Sequence, residues 1–120
     1  MERDRIYFAT SNRDKLNEAR VLLGIEVLGT ELKVDEIQSL DPEDVAEKKA
    51  LSYFSILRKP IFVEDTSLSI NALNGLPGTY IDAFMKVLGN EGLVKLLKGS
   101  KDRKGVALSQ GLFLFSIFFL

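Results

Sequence analysis

The chain has 120 residues, of which 46% are hydrophobic and 28% charged, and its formal net charge is −1. These values indicate one small globular domain with its own core, without an overall basic field that would attract nucleic acid. The sequence contains neither Cys nor His. Disulfides, thiolate or imidazole metal sites and Ser-His catalysis are therefore excluded, and any bound metal must take oxygen ligands, which points to Mg²⁺ or a close relative.

The N-terminal segment predicts a strand, a loop and a helix. The first five residues are mostly charged and lack the apolar core of a signal sequence, which predicts a cytoplasmic protein. Arg5 to Thr10 predicts a buried strand, and helical spacing of apolar residues follows up to Gly24. A helix start offers free amides to an anion, and Asn12 and Lys15 could add contacts to a phosphate there. Alternatively, Asn12 only caps the helix and Lys15 is a solvated surface residue, which the residues alone favour because no Gly-x-x-x-x-Gly-Lys pattern is present.

The next segment predicts a hairpin and then an acidic loop. Residues 25–28 and 32–34 have the pattern of two short strands around a Gly-Thr turn. Glu36 follows in the loop and is a candidate carboxylate ligand for a metal. The alternative is an ordinary exposed acid at the edge of a loop.

A second helix has clear start and stop signals. Asp41 offers a cap, the next residue is a Pro, and two acids occupy the first turn. Cations and Pro60 end the helix. Lys48 and Lys49 lie on or near its polar flank, where solvent exposure is the ordinary expectation.

The central stretch is organised around two adjacent acids. Three apolar residues, 61–63, lead directly into Glu64 and Asp65, and two hydroxyl residues and a Gly-Pro turn follow. We predict a buried strand that ends at these acids and delivers them to the edge of a sheet, where open α/β folds bind ligands. Because successive strand residues point to opposite faces, one acid faces the site and the other supports it or binds a second ligand.

The C-terminal third predicts two helices, a strand and an apolar tail. Residues 80–88 and 91–98 are the helices, with Asn90 capping the second, and 106–108 begin the strand. The segment 111–120 has one polar side chain and is too short to span a bilayer, which needs about 20 residues. We expect a buried strand or a segment covered by another chain, and a membrane or partner anchor is a weaker third possibility.

Two motifs resemble those of inosine triphosphate pyrophosphatases. Residues 9–18 are similar to the Ala-Thr-x-Asn-x-x-Lys-x-x-Glu signature of that family, and residues 63–80, followed by Phe84, are similar to its central motif. Residues 90–97 also match, and the resemblance covers nearly all of residues 5–110. It implies Mg²⁺-dependent hydrolysis of ITP, dITP and XTP to the monophosphate and pyrophosphate by a homodimeric enzyme.

The resemblance also implies roles for individual residues. The loop that would bind the triphosphate consists of Thr10, Ser11, Asn12, Arg13, Asp14 and Lys15. Glu36 and Asp65 would bind Mg²⁺, and Asp65 would also act as the general base. Lys49 and Thr66 would contact the substrate, whereas Lys48 stays a surface residue.

The sequence departs from the family after about Ser109. The Gly-Tyr-Asp-Pro-like and Ser-His-Arg segments that form most of the family's purine pocket have no counterpart, which is the pattern left by an early stop or a change of reading frame. We therefore expect a single truncated pyrophosphatase-like domain over residues 1–120, with a mixed, twisted α/β sheet flanked by helices and lacking the C-terminal part of the family fold. The alternative function is a catalytically impaired or inactive truncated homologue that folds, self-associates and at most binds phosphate. No membrane or nucleic-acid partner is expected.

Overall fold

The computed structural model describes residues 5–114, which form five strands and three α-helices. The elements are β1 Arg5–Ala9, α1 Arg13–Leu23, β2 Glu26–Thr30, α2 Pro42–Leu57, β3 Ile61–Ile70, β4 Pro77–Gly78, α3 Ile81–Leu96 and β5 Gly105–Leu114. The described chain divides into two compact units, the first comprising residues 5–37, 46–64 and 111–114 and the second residues 38–45 and 65–110. Both parallel and antiparallel strand pairs occur, so the predicted mixed α/β fold is confirmed.

In the first unit, β1 lies between β2 and β3, and both pairs are parallel. Phe8 of β1 is opposite Gly29 of β2 and Phe62 of β3. The predicted hairpin is therefore wrong, because the Gly-Thr pair belongs to β2 itself instead of forming a turn. Close packing favours Gly29 there, since a Cβ atom would lie 2.8 Å from Leu16 Cδ1 and 3.0 Å from the Thr10 carbonyl oxygen.

The strands of the first unit bury side chains on both faces, as their alternation requires. One face contacts α2 through a cluster that includes the fully buried Ile61 and Val63 of β3 together with Ala50 of α2. The opposite face contacts α1 through Leu16, which packs with a cluster from β1 and β2 and with Phe62. Helices therefore cover this sheet from two sides, and α1 and β3 meet on one of them.

Both ends of α1 follow the sequence prediction. Asn12 has an extended backbone and caps the first turn with its side chain. Gly24 ends the helix in the left-handed conformation, with φ of 66°, and its N–H donates to the Arg20 carbonyl at 3.0 Å. Left-handed backbone at this position favours Gly, which explains why the helix ends here.

In the second unit, the later half of β3 pairs antiparallel with β4, with Leu68 opposite Gly78. The predicted end of the strand at Glu64 and Asp65 is wrong, because β3 continues to Ile70. The two hydroxyl residues that follow the acids fit an extended strand as well as a loop. The acids therefore lie inside the strand and not at its end.

The helical part of the second unit has the predicted interruption. The segment Ile81–Leu96 is broken at Gly89, whose φ of 67° and ψ of −177° are not helical. The Thr79 hydroxyl, just before this segment, donates a hydrogen bond to the Ser39 carbonyl oxygen. This bond fixes the chain that enters α2 against the chain that enters α3.

Strand β5 pairs with β3 and includes the predicted strand start at 106–108. The predicted apolar tail at 111–120 falls partly in this strand, and its residues 115–120 lie outside the described range. Within that range, no helix combines the length and the apolar character needed to cross a membrane.

Candidate functional site

The candidate phosphate-binding loop precedes and begins α1. Asn12 Oδ1 accepts hydrogen bonds from the backbone N–H groups of Asp14 at 2.9 Å and Lys15 at 3.2 Å. Thr10 Oγ1 accepts from the Asn12 N–H at 3.1 Å. These bonds use the side-chain oxygens as acceptors, so the Asn12 amide N–H₂ and the Thr10 O–H are not consumed by them. Capping and ligand binding, which the sequence presented as alternatives, are therefore compatible in one loop.

Lys15 is the loop residue that the fold ties most firmly to β3. Its Nζ atom lies 2.6 Å from Glu64 Oε1, and the two side chains are 41% and 26% exposed. Ser11, Arg13 and Asp14 are exposed, whereas Thr10 is half-buried. Their predicted contacts with substrate stay predictions. The Lys15–Glu64 pair joins the loop to β3, which bears Glu64 and Asp65 and is called the carboxylate strand.

The sequence places Glu64 beside Asp65 as an acid that faces or supports the site, but it gives Glu64 no partner. Strand alternation places residues 62 and 64 on one face, but nothing local in the sequence pairs that face with Lys15. Phe62 packs with the cluster under α1, so Glu64 points to the same side and meets the first turn of that helix. The adjacent Asp65 was given the chemical role, which left Glu64 as a supporting residue.

A groove of about 520 Å³ lies beside the Lys15–Glu64 pair. Phe8 and Phe62 form an edge-to-face contact in it, with ring centroids 5.0 Å apart and planes at 75°. Its lining is apolar except for three charged residues and consists of Ile6, Phe8, Lys15, Glu18, Ala19, Leu22, Leu23, Ile25, Val27, Phe62 and Glu64. The ion pair is therefore next to apolar surface, which screens charges less than bulk water does.

Lys49 approaches the same strand from the other helix. Its Nζ atom lies 3.4 Å from the backbone carbonyl oxygen of Glu64, and the side chain is half-buried. Lys48 is exposed, as predicted. The two lysines that the sequence proposed for phosphate binding, Lys15 and Lys49, thus both contact Glu64, one at its carboxylate and one at its backbone.

The predicted metal ligands occupy different units. Glu36 is exposed and belongs to the first unit, whereas Asp65 and Thr66 belong to the second. Asp65 is half-buried, and its Oδ2 atom is shielded from solvent. Over residues 5–114, no three or more acidic side chains are grouped as a metal site. The roles of Glu36 and Asp65 with Mg²⁺, of Asp65 as general base and of Thr66 with substrate stay predictions.

Comparison with known proteins identifies the family. The model of the Ham1 family matches residues 6–114. The chain is 42% identical over 106 residues to a Tuber melanosporum protein named inosine triphosphate pyrophosphatase, with 86% of this chain and 57% of that protein covered. It is 41% identical over 108 residues to a Methanopyrus kandleri protein named dITP/XTP pyrophosphatase, with 88% and 57% covered.

The fold of a solved structure agrees with this result. The Staphylococcus aureus Ham1 protein superposes with a TM-score of 0.78 at 24% identity, covering 93% of this chain and 64% of that one. The chain thus spans a little over half the length of the two curated relatives that it matches. Since the family model covers almost all of the sequence, the resemblance inferred from the two motifs is confirmed, and the chain belongs to the Ham1 family.

Proposed function

We propose that this chain hydrolyses non-standard purine nucleoside triphosphates such as ITP, dITP and XTP to the monophosphate and pyrophosphate, with Mg²⁺ as cofactor. The observation that carries the proposal is the Lys15–Glu64 pair, which joins an amide-rich helix start to the strand that bears Asp65. A helix start and a lysine together form a favourable binding site for phosphate oxygens. The names of the two relatives supply the substrate class.

Binding of the polyphosphate is assigned to the loop and to two lysines. The Lys15 ammonium, the Asn12 amide N–H₂ and the Thr10 O–H donate to phosphate oxygens, and they stabilise the negative charge that moves to the leaving pyrophosphate. Lys49, whose Nζ atom already lies beside β3, adds a second positive charge. Thr66, exposed and next to Asp65, contributes a hydroxyl to the substrate.

Glu36 and Asp65 are each proposed as ligands of Mg²⁺. Carboxylate oxygens suit this ion, and Mg²⁺ is commonly held by one or two carboxylates together with substrate phosphates and water. That mode does not require a group of three protein acids, so it fits the acids present in the described residues. When bound, Mg²⁺ neutralises phosphate charge and lowers the pKa of a coordinated water.

The role of general base, which accepts the proton of the attacking water, is assigned to Asp65. Water forms a new P–O bond while the bond that joins the α-phosphate to the leaving pyrophosphate breaks, and the water proton passes to the Asp65 carboxylate. No imidazole is needed, which agrees with the absence of His from the sequence.

The test compares pyrophosphate release from ITP by the chain and by Asp65→Asn, with Mg²⁺ present. We expect a loss of about 100-fold or more in kcat, the range of general acid–base catalysis. Glu47→Gln, which removes an exposed acid from α2, is the matched control and retains the rate. Equal background rates in all three proteins would contradict the proposal and favour the alternative, a non-catalytic homologue that at most binds phosphate.

A homodimer is proposed together with this activity. Several large apolar side chains are exposed in the described part of the chain, among them Val21 and Leu22, each 83% exposed, and Val87, 82% exposed. Exposed apolar surface of this kind is often covered by a second subunit. Sedimentation velocity at micromolar concentration is expected to show a dimer, and a monomer would contradict this assignment. The cytoplasmic location stays a prediction.

A further inference from the structure

The Lys15–Glu64 contact places a carboxylate where a phosphate oxygen would bind. The 2.6 Å distance between Lys15 Nζ and Glu64 Oε1 is that of a short charge-assisted hydrogen bond. The partners are 49 residues apart in sequence, so the fold and not local helix geometry creates the pair. If the proposed function is correct, the cation that should bind polyphosphate is already engaged by an anion belonging to the protein.

We propose that Glu64 acts as a built-in competitor for Lys15 and weakens the binding of polyphosphate that carries no metal cation. A phosphate oxygen bonded to Lys15 Nζ would lie less than about 6 Å from Glu64 Oε1, within the Debye length of about 8 Å at physiological salt. Like charges at that distance repel. Free polyphosphate must therefore displace Glu64 or accept this repulsion, whereas neutralisation of phosphate charge by a cation reduces it.

The surroundings of the pair make Glu64 effective in this role. Glu64 lines the apolar groove beside Phe62 and is only 26% exposed, so solvent screens its charge incompletely. Glu18 is the other acid that lines the groove. In the described part of the chain, Glu18 does not form an ion pair with Lys15. The two acids thus line the same groove and carry the same formal charge, but only Glu64 contacts the Lys15 ammonium.

A merely structural role for the pair makes a different prediction. The unfolding midpoint does not separate the two roles, because partly exposed ion pairs contribute little to stability and loss of the Glu64 charge should leave the midpoint nearly unchanged. The affinity for anions does separate them. A structural anchor for Lys15 would instead lose anion affinity when Glu64 is neutralised, because the lysine would no longer be held at the start of α1. The competitor role predicts a gain of affinity, which is the opposite sign.

The experiment measures binding of inorganic tripolyphosphate to the full chain by calorimetry in EDTA. Glu64→Gln is expected to bind about 3- to 15-fold more tightly than the unmodified chain, the effect of one unit charge at about 5–6 Å with an effective dielectric constant of about 40–80. Glu18→Gln is the matched control and should change the affinity by less than about twofold. In a Lys15→Met background, Glu64→Gln should give no gain, since there is then no ammonium for which it competes.

Three results would overturn the inference. The first is binding by Glu64→Gln that is no tighter than that of the unmodified chain, the second is a gain that persists without Lys15, and the third is a gain of equal size in Glu18→Gln. Hydrolysis of ITP with Mg²⁺, measured on the same preparations, separates this inference from the proposed function. A gain of affinity without any hydrolysis would remove the proposed function alone, whereas hydrolysis without the gain would remove only the role of Glu64.

Discussion

Replacement of Asn12 tests whether the loop before α1 is organised as the structure shows. Asn12→Ala removes the oxygen that accepts from two backbone N–H groups, at 2.9 and 3.2 Å. Because the residue is exposed, water partly replaces these bonds, and we expect the free energy of unfolding to fall by about 1 kcal/mol, as for other helix caps. With a slope of about 1.5 kcal/mol/M, the urea midpoint measured by circular dichroism should fall by about 0.7 M.

Asn12→Asp is the control that separates capping from ligand binding. The carboxylate accepts the same two N–H bonds and suits the positive end of the helix, so the midpoint should stay within about 0.3 M of the unmodified chain. The added negative charge should nevertheless weaken tripolyphosphate binding, because it lies in the loop proposed to hold the phosphates. An unchanged midpoint for Asn12→Ala would refute the capping argument, and unchanged binding by Asn12→Asp would refute the assignment of this loop to phosphate.

Three further changes test the packing that positions the site. Val63→Ala, at a fully buried position, should lower the free energy of unfolding by about 1–3 kcal/mol, whereas Val21→Ala, at an 83% exposed position, should change it by less than about 0.5 kcal/mol in the same urea titration. Gly29→Ala should lower the thermal midpoint, with a cost of about 1–3 kcal/mol, because its Cβ has no room; an unchanged midpoint would contradict the close approach at β2. Tyr53→Phe removes the hydroxyl bonded to the Leu32 backbone N–H at 3.1 Å and should cost about 0.5–1.5 kcal/mol while speeding hydrogen exchange of that amide. Unchanged exchange at Leu32 would argue against this bond.

Local signals made the helices and their ends predictable. Helix α1 begins after its cap residue Asn12 and ends at Gly24. At the start of α2, the Glu43 N–H donates to the side chain of Asp41 at 3.0 Å. Each signal acts within one helical turn, so the sequence contains all the information that the structure uses at that point. The interruption of α3 at Gly89 was predictable for the same reason.

Strand pairing was harder to predict because it depends on distant residues. Residues 25–34 contain a Gly-Thr pair that suits a turn, yet the parallel pairing of β2 with β1 keeps both residues in the strand. Glu64 and Asp65 resemble a strand end, but antiparallel pairing with β4 extends β3 to Ile70. In both cases hydrogen bonds to another strand outweigh the local turn preference.

Motif reasoning selects candidate site residues that the family signature contains, but it does not find contacts that only the fold creates. Family likeness selected Lys15, Lys49 and Asp65, and the structure brings the two lysines to β3. Glu64 gained importance only when α1 and β3 were seen to meet, since nothing local in the sequence pairs residue 64 with residue 15. A contact between side chains 49 residues apart is a tertiary feature, which explains why motif reasoning did not find it.

The most direct test of the central claim is a two-dimensional ¹H–¹⁵N NMR titration of the full chain with a non-hydrolysable ITP analogue and Mg²⁺. If the start of α1 and the carboxylate strand form the polyphosphate site, the largest shift changes should fall on the amides of residues 10–15 and 64–66. Shift changes confined to other residues, or none at millimolar analogue, would contradict the claim.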